Sequence, residues 1–175
     1  MIKKIYLAGP EVFLKNAIEI GELKKELCSK YGFEGLFPLD NTIKTCNMSK
    51  EEIAYTIRKE NIKLIKESDM CIANITPFRG SSIDSGTAFE VGYFSALDKP
   101  LFLYSNDSRE YKSRVSIKSD FDDNGMEIEN FGLSENLMIP DSSFLDIVLS
   151  DVPSNEYYTS MKNFELLLKS IKKYF

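Results

Sequence analysis

Histidine is absent from all 175 residues, and that absence excludes more chemistry than any other. A serine or cysteine nucleophile activated by imidazole is impossible, and the commonest ligand for zinc and iron is missing. Proton transfer and nucleophilic attack fall instead to carboxylates, tyrosine, lysine or cysteine. Only three cysteines are present, Cys28, Cys46 and Cys71, with no CxxC spacing. That usage suits reduced thiols in a cytoplasmic protein, and Cys28 and Cys71 read as packing residues in apolar surroundings. No apolar stretch reaches the roughly 20 residues of a membrane-spanning helix. The apolar part of the first segment, about five residues, is too short for the core of a secretory signal and reads as a strand. Glycine-rich phosphate loops are missing too: there is neither a GxGxxG after the first strand nor a P-loop, so a dinucleotide or ATP site finds no support. An excess of positive charge is lacking as well: the net charge of -5 argues against a nucleic-acid partner, and the Lys172-Lys173 pair and other charge clusters read as solvated faces.

What is present is enough apolar residue, 43% of the chain, for one good core and a single domain over residues 1–175. Short apolar runs alternate with helical patterns. Strands are expected at 3–8, 33–39, 70–75 and 100–104, with a fifth at Leu137-Met138-Ile139. Helices are expected at 13–31, with Leu14, Ala17, Ile18, Gly21 and Cys28 on one face, and at 50–67 behind a Ser49/Glu52 capping box. Further helices are expected around Glu90, at 141–151 and at 156–173, the last with a Phe164, Leu167, Leu168, Ile171 stripe. A polar excursion occupies about 105–130. This alternation is that of an α/β fold: a five-stranded parallel sheet covered by helices on both faces. Ligands of such sheets sit beyond the carboxyl ends of the strands.

Glu90 is a lone carboxylate in the run Gly86-Thr87-Ala88-Phe89-Glu90-Val91-Gly92-Tyr93-Phe94. A helix that is apolar all round belongs in a core, where an ionised carboxylate costs several kcal/mol without a partner. Small neighbours leave room for a ligand, and Asp84 stands six residues upstream at the expected helix start. A capping Asp84 with a salt-bridged Glu90 accounts for the same pattern, so both readings are open on composition alone. Asn61 falls on the apolar face of Ile53, Ile57, Leu64 and Ile65, where an amide needs either a backbone partner or a ligand edge. Tyr6, on the first strand, either packs in the core or hydrogen-bonds Glu90. The loop Pro77-Phe78-Arg79-Gly80 offers an aromatic surface and a guanidinium.

The segments Tyr6-Leu7-Ala8-Gly9-Pro10, Pro38-Leu39-Asp40-Asn41, Asn74 to Gly80, Asp84 to Gly92 and Asn136-Leu137-Met138 together resemble the nucleoside 2-deoxyribosyltransferases, in matching order over roughly residues 3–140. The resemblance implies a flavodoxin-like, doubly wound fold and ping-pong exchange of the base on a 2'-deoxynucleoside, with no cofactor and no metal. It makes Glu90 the nucleophile at C1', Tyr6 the residue that holds it, and Asp84 the acceptor for the 5'-hydroxyl. Gly9, Phe13, Asn61 and Phe78 would bind substrate. Asn136 and Met138 would complete a neighbouring subunit's pocket in a homo-oligomer, a dimer or a hexamer. Asn61 stands where some members carry Asp near the base, and Thr42 where some carry Gln. The chemistry is that of a retaining glycosidase, in which a carboxylate traps an oxocarbenium-like centre. Two other functions share part of the pattern: hydrolysis of 2'-deoxynucleoside 5'-monophosphates, and nucleotide binding without catalysis.

Overall fold

The structure, a computed structural model, describes residues 2–40, 48–140 and 143–175. Asn41, Thr42 and Cys46 lie outside the described residues. Strands β1 (Lys4–Ala8), β2 (Glu34–Leu36), β3 (Met70–Asn74), β4 (Leu101–Ser105) and β5 (Val148–Leu149) form one all-parallel sheet in the order β2-β1-β3-β4-β5. This is the flavodoxin-like order, and its switch point lies between the paired strands β1 and β3. Every residue of β3 and β4 is buried, which is why these strands read as unbroken apolar runs.

Helices α1 (Ala17–Lys30) and α5 (Lys162–Ile171) cover one face; α2 (Lys50–Glu67) and α3 (Ser85–Ala96) cover the other. Side-chain parity sorts the strands between two cores. Ile5, Leu7, Ile72, Phe102 and Tyr104 meet Cys28, Phe164, Leu167, Leu168 and Ile171. Tyr6, Ala8, Cys71, Ala73, Leu101 and Leu103 meet Leu64, Ile65, Val91 and Phe94. Tyr6 is thereby aimed at α3. The capping box of α2 is formed, with Ser49 N donating to Glu52 Oε2 at 2.7 Å and Glu52 N to Ser49 Oγ at 3.2 Å.

Several expected elements differ. Residues 137–139 form a turn, not a strand, because Asn136 Oδ1 accepts from Met138 N at 3.1 Å and closes the chain locally. The fifth strand is Val148–Leu149, recruited by the free edge of β4 through Tyr104 and Ser105. Residues 143–151 are therefore extended or irregular rather than helical, and α5 begins only at Lys162 after a 3-10 turn at Ser154–Glu156. The first helix begins at Ala17 rather than 13, because Pro10–Phe13 forms its own 3-10 turn. Ile18 is 60% exposed, and Lys24 takes a buried place on the same helix. The excursion carries α4 (Tyr111–Val115) and a bridge between Phe121 and Glu127.

Candidate active site

Glu90 sits on α3, one turn in from its start, over the carboxyl end of β1. Tyr6 Oη donates to Glu90 Oε1 at 2.5 Å. Burial pushes the Glu90 carboxyl up to about 7; the Tyr6 hydrogen bond opposes this, and the nearby Asp84 charge adds to it. The Tyr6 phenol is pushed well above its ordinary value by burial and by Glu90, so it remains a donor at every physiological pH. Asp84 caps α3: its Oδ2 accepts from Thr87 N at 2.9 Å and Thr87 Oγ1 at 3.1 Å. The helix thus fixes both carboxylates in one frame.

Two cavities meet here and share Ile57, Asn61, Gly86 and Glu90. The first, of about 270 Å³, is also lined by Gly9, Val12, Phe13, Pro38, Leu39, Asp84 and Thr87. The second, of about 430 Å³, runs between α2 and α3 past Ala54, Arg58, Ile62, Ile65 and Phe89. Gly9, Phe13, Asn61, Asp84 and Glu90 therefore converge, with Tyr6 immediately behind Glu90. Phe78 stands beside this group, stacked on Phe13 at 5.2 Å between ring centroids. Arg79 lies 5.0 Å from the Phe13 ring and 4.6 Å from that of Phe78. Asn136 and Met138 line neither cavity: Asn136 Nδ2 donates to Glu129 Oε1 at 2.6 Å, and Met138 is 71% exposed. The Glu90 helix is also less buried than its composition implies. Only Thr87, Val91 and Phe94 are buried, and Phe89 faces α2 and solvent.

Gly9 is held at φ +156°, and a Cβ there would fall 2.0 Å from Glu11 Oε2. Behind it lies a polar cluster that composition did not announce. Glu11 and Lys24 are both buried and paired, and Glu11 Oε1 also accepts from Asn74 Nδ2 at 2.9 Å and Tyr104 Oη at 3.1 Å. The available signal was the position of Lys24, one turn from both Gly21 and Cys28 on the apolar stripe of α1. A second unannounced group is Glu135. It accepts from Ser82 Oγ at 2.6 Å, Ile83 N at 3.0 Å, Asn136 N at 3.0 Å and the Arg114 guanidinium at 3.2 Å. The excursion is thereby tied to the residue just before Asp84.

A sequence model described as nucleoside 2-deoxyribosyltransferase matches residues 5–138. The chain belongs to the nucleoside 2-deoxyribosyltransferase family. That family consists of enzymes. A 2-desoxiribosyltransferase from Leishmania mexicana has 32% identity and a TM-score of 0.73, covering 95% of this chain and 97% of its own. An uncharacterised protein of Schizosaccharomyces pombe is 37% identical over 113 residues, 63% of this chain. The match spans only 54% of that yeast protein. A 2-deoxyribosyltransferase from Bacillus psychrosaccharolyticus shares the fold at 23% identity and a TM-score of 0.54, over 90% of this chain and 91% of its own. Within the family's fold, the Asp84 to Gly92 block supplies the capped helix that bears Glu90, and Tyr6 comes from the central strand beneath it. Among the described residues no helix is long and apolar enough to cross a membrane, and no cluster of acidic or cysteine side chains is fit to hold a metal ion.

Proposed function

We propose that the chain exchanges the base of a 2'-deoxyribonucleoside for a free purine or pyrimidine, with Glu90 as the covalent nucleophile. The observation that carries this reading is the Tyr6–Glu90 hydrogen bond at 2.5 Å on the wall of a cavity that also holds Asp84 and Asn61. The sugar lies in the smaller cavity, its 5'-hydroxyl donating to Asp84 and its C1' facing Glu90. One oxygen of Glu90 is engaged by Tyr6, which leaves the other to attack C1' as the bond to the base breaks and its electron pair departs with the base. The 2'-deoxy sugar lacks the electron-withdrawing hydroxyl that opposes positive charge at C1'. A glycosyl ester on Glu90 then awaits the nitrogen of an incoming base, which attacks C1' and releases the carboxylate. Ile57 and Phe89 at the junction, once covered by a second copy, keep water from intercepting the ester.

Asn136 and Met138, lying outside their own chain's cavity, serve the site of a second copy in a homo-oligomer. Apolar side chains left exposed along α2 and α3, among them Ile57 at 42% and Phe89 at 49%, with Leu97 just beyond α3 at 40%, form the contact face. A second reading, hydrolysis of a 2'-deoxynucleoside 5'-monophosphate, draws on Arg79, whose guanidinium lies beside Phe13 and Phe78. Asp84 opposes it, since a carboxylate repels a phosphate dianion. Incubating deoxyinosine with free adenine decides the matter. Deoxyadenosine marks exchange; release of free sugar, or turnover of the monophosphate only, overturns it.

A further inference from the structure

Asn61 carries an unused hydrogen-bonding edge at the point where the two cavities join. Its Oδ1 is buried with no hydrogen-bond partner among the described residues. Buried carbonyl oxygens are costly to leave unmade, and such orphans call for a ligand. The alternatives around it are few. Among the described residues the other polar side chains of the larger cavity are Arg58 and Glu90. Arg58 lies over the Phe89 ring at 5.7 Å and offers donors only. Glu90 is engaged by Tyr6 and faces the sugar. Among the described residues of that cavity the neutral side-chain acceptor is thus Asn61 Oδ1, with a donor two bonds away on the same carboxamide.

We propose that Asn61 reads the purine edge next to the breaking bond and selects 6-aminopurines over 6-oxopurines. The proposal rests on the base-exchange reading and assigns the preferred purine class to that site. Asn61 shares the cavity junction with Glu90, and in the proposed pose the purine turns its N7 side to α2, so that the amide meets the edge carrying N7 and the 6-substituent. On adenine that edge presents one acceptor and one donor, N7 and the 6-amino group, and a carboxamide matches both. On hypoxanthine it presents two acceptors, N7 and O6, so Oδ1 confronts a lone pair whichever way the amide is turned. The contact to N7 has a second effect. As the C1'–N9 bond breaks, its electron pair spreads into the imidazole ring and N7 becomes more basic. A hydrogen bond from Nδ2 strengthens as that charge develops, assisting departure without a proton-donating carboxylic acid.

Equilibrium binding tests this without any turnover. Adenine, hypoxanthine and 7-deazaadenine are titrated by calorimetry into the full chain and into Asn61→Leu, whose fold is checked by its melting curve. Wild type is expected to bind adenine roughly 10- to 100-fold tighter than hypoxanthine, and to lose most of that gain with 7-deazaadenine. In Asn61→Leu the three bases should bind within about threefold of one another. Asn61→Asp adds a kinetic readout: deoxyinosine, for wild type a working but slower donor than deoxyadenosine, should gain relative to deoxyadenosine as pH falls and the new carboxyl protonates to donate. Equal affinity of wild type for adenine and hypoxanthine overturns the assignment. So does a preference that survives in Asn61→Leu, or failure of every base to bind. A clear adenine preference in a protein that performs no exchange would overturn the transferase reading and leave the role of Asn61 standing.

Discussion

Replacing Glu90 with Gln should make the protein more stable at alkaline pH and nearly inactive. In the folded chain the carboxyl is raised from an ordinary 4.5 to about 7, mainly by burial. That difference corresponds to about 3 kcal/mol of preference for the protonated form. Because the folded state holds this proton more tightly than the unfolded chain, stability falls as pH rises from about 4.5 to about 7 and is then level. Glutamine keeps an acceptor for Tyr6 and carries no charge, so it escapes the cost. Solvent at the cavity mouth screens part of the effect, leaving an expected gain of about 1–2 kcal/mol at pH 8, or roughly 2–8 °C in melting temperature. At pH 5 the wild-type side chain is already protonated in the fold and most of the gain disappears. Urea unfolding of both proteins at about pH 5 and pH 8, with base exchange assayed alongside, reads all of this. Loss of exchange by on the order of 10⁴ or more is expected from removing a covalent nucleophile. A stability difference independent of pH, or destabilisation at pH 8, refutes the burial argument; retained exchange refutes the nucleophile.

Formation of the glycosyl-enzyme in single-turnover experiments should rise about tenfold per pH unit below 7 and level off above it, since only the ionised Glu90 attacks; a flat profile between about pH 5 and 8 contradicts this. Glu135→Ala strands the Arg114 guanidinium, which is as buried as its partner. The cost is about 3–5 kcal/mol, on the order of 10 °C in melting temperature, with an accompanying rise in KM through the loosened Ile83–Asp84 segment; a melting temperature within a degree or two of wild type would show the pair to be dispensable. Mixing inactive Glu90→Ala with inactive Asn136→Ala should restore exchange, to about a quarter of sites in a randomly mixed two-fold dimer. No recovery after demonstrated subunit exchange means that each site is built from one chain.

Much of the fold is written locally. The runs at 4–8, 70–74 and 101–105 are continuous because both faces of those strands are covered, and continuity of that kind survives any uncertainty about what covers them. Ser49 and Glu52 announce α2, and the Phe164-Leu167-Leu168-Ile171 stripe announces α5, because each is a short-range pattern. Strand β5 is invisible in the chain because two residues, Val148 and Leu149, owe their conformation to the edge of β4. Asn136 hid a turn inside an apolar triplet, since its side chain competes for the backbone that a strand would need. In the site, Tyr6 and Glu90 were legible as a pair from the family block, whereas the position of Tyr6 on its strand left core packing and that hydrogen bond equally open. The partnerships of Lys24 with Glu11 and of Arg114 with Glu135 join positions 13 and 21 residues apart through tertiary packing, and charge on a helix reads by default as solvated surface.

Glu135 makes the excursion and the cap of α3 into one mechanical part. Its carboxylate is shared between Ser82 and Ile83 on one side and Asn136 and Arg114 on the other. A push on the turn at Asn136-Leu137-Met138 is thus delivered, across a rigid and dehydrated joint, to the peptide that orients Asp84. The joint conducts in both directions, as any coupling free energy must. A contact made at that turn and a contact made at Asp84 would be linked through Glu135, each altering the terms on which the other forms.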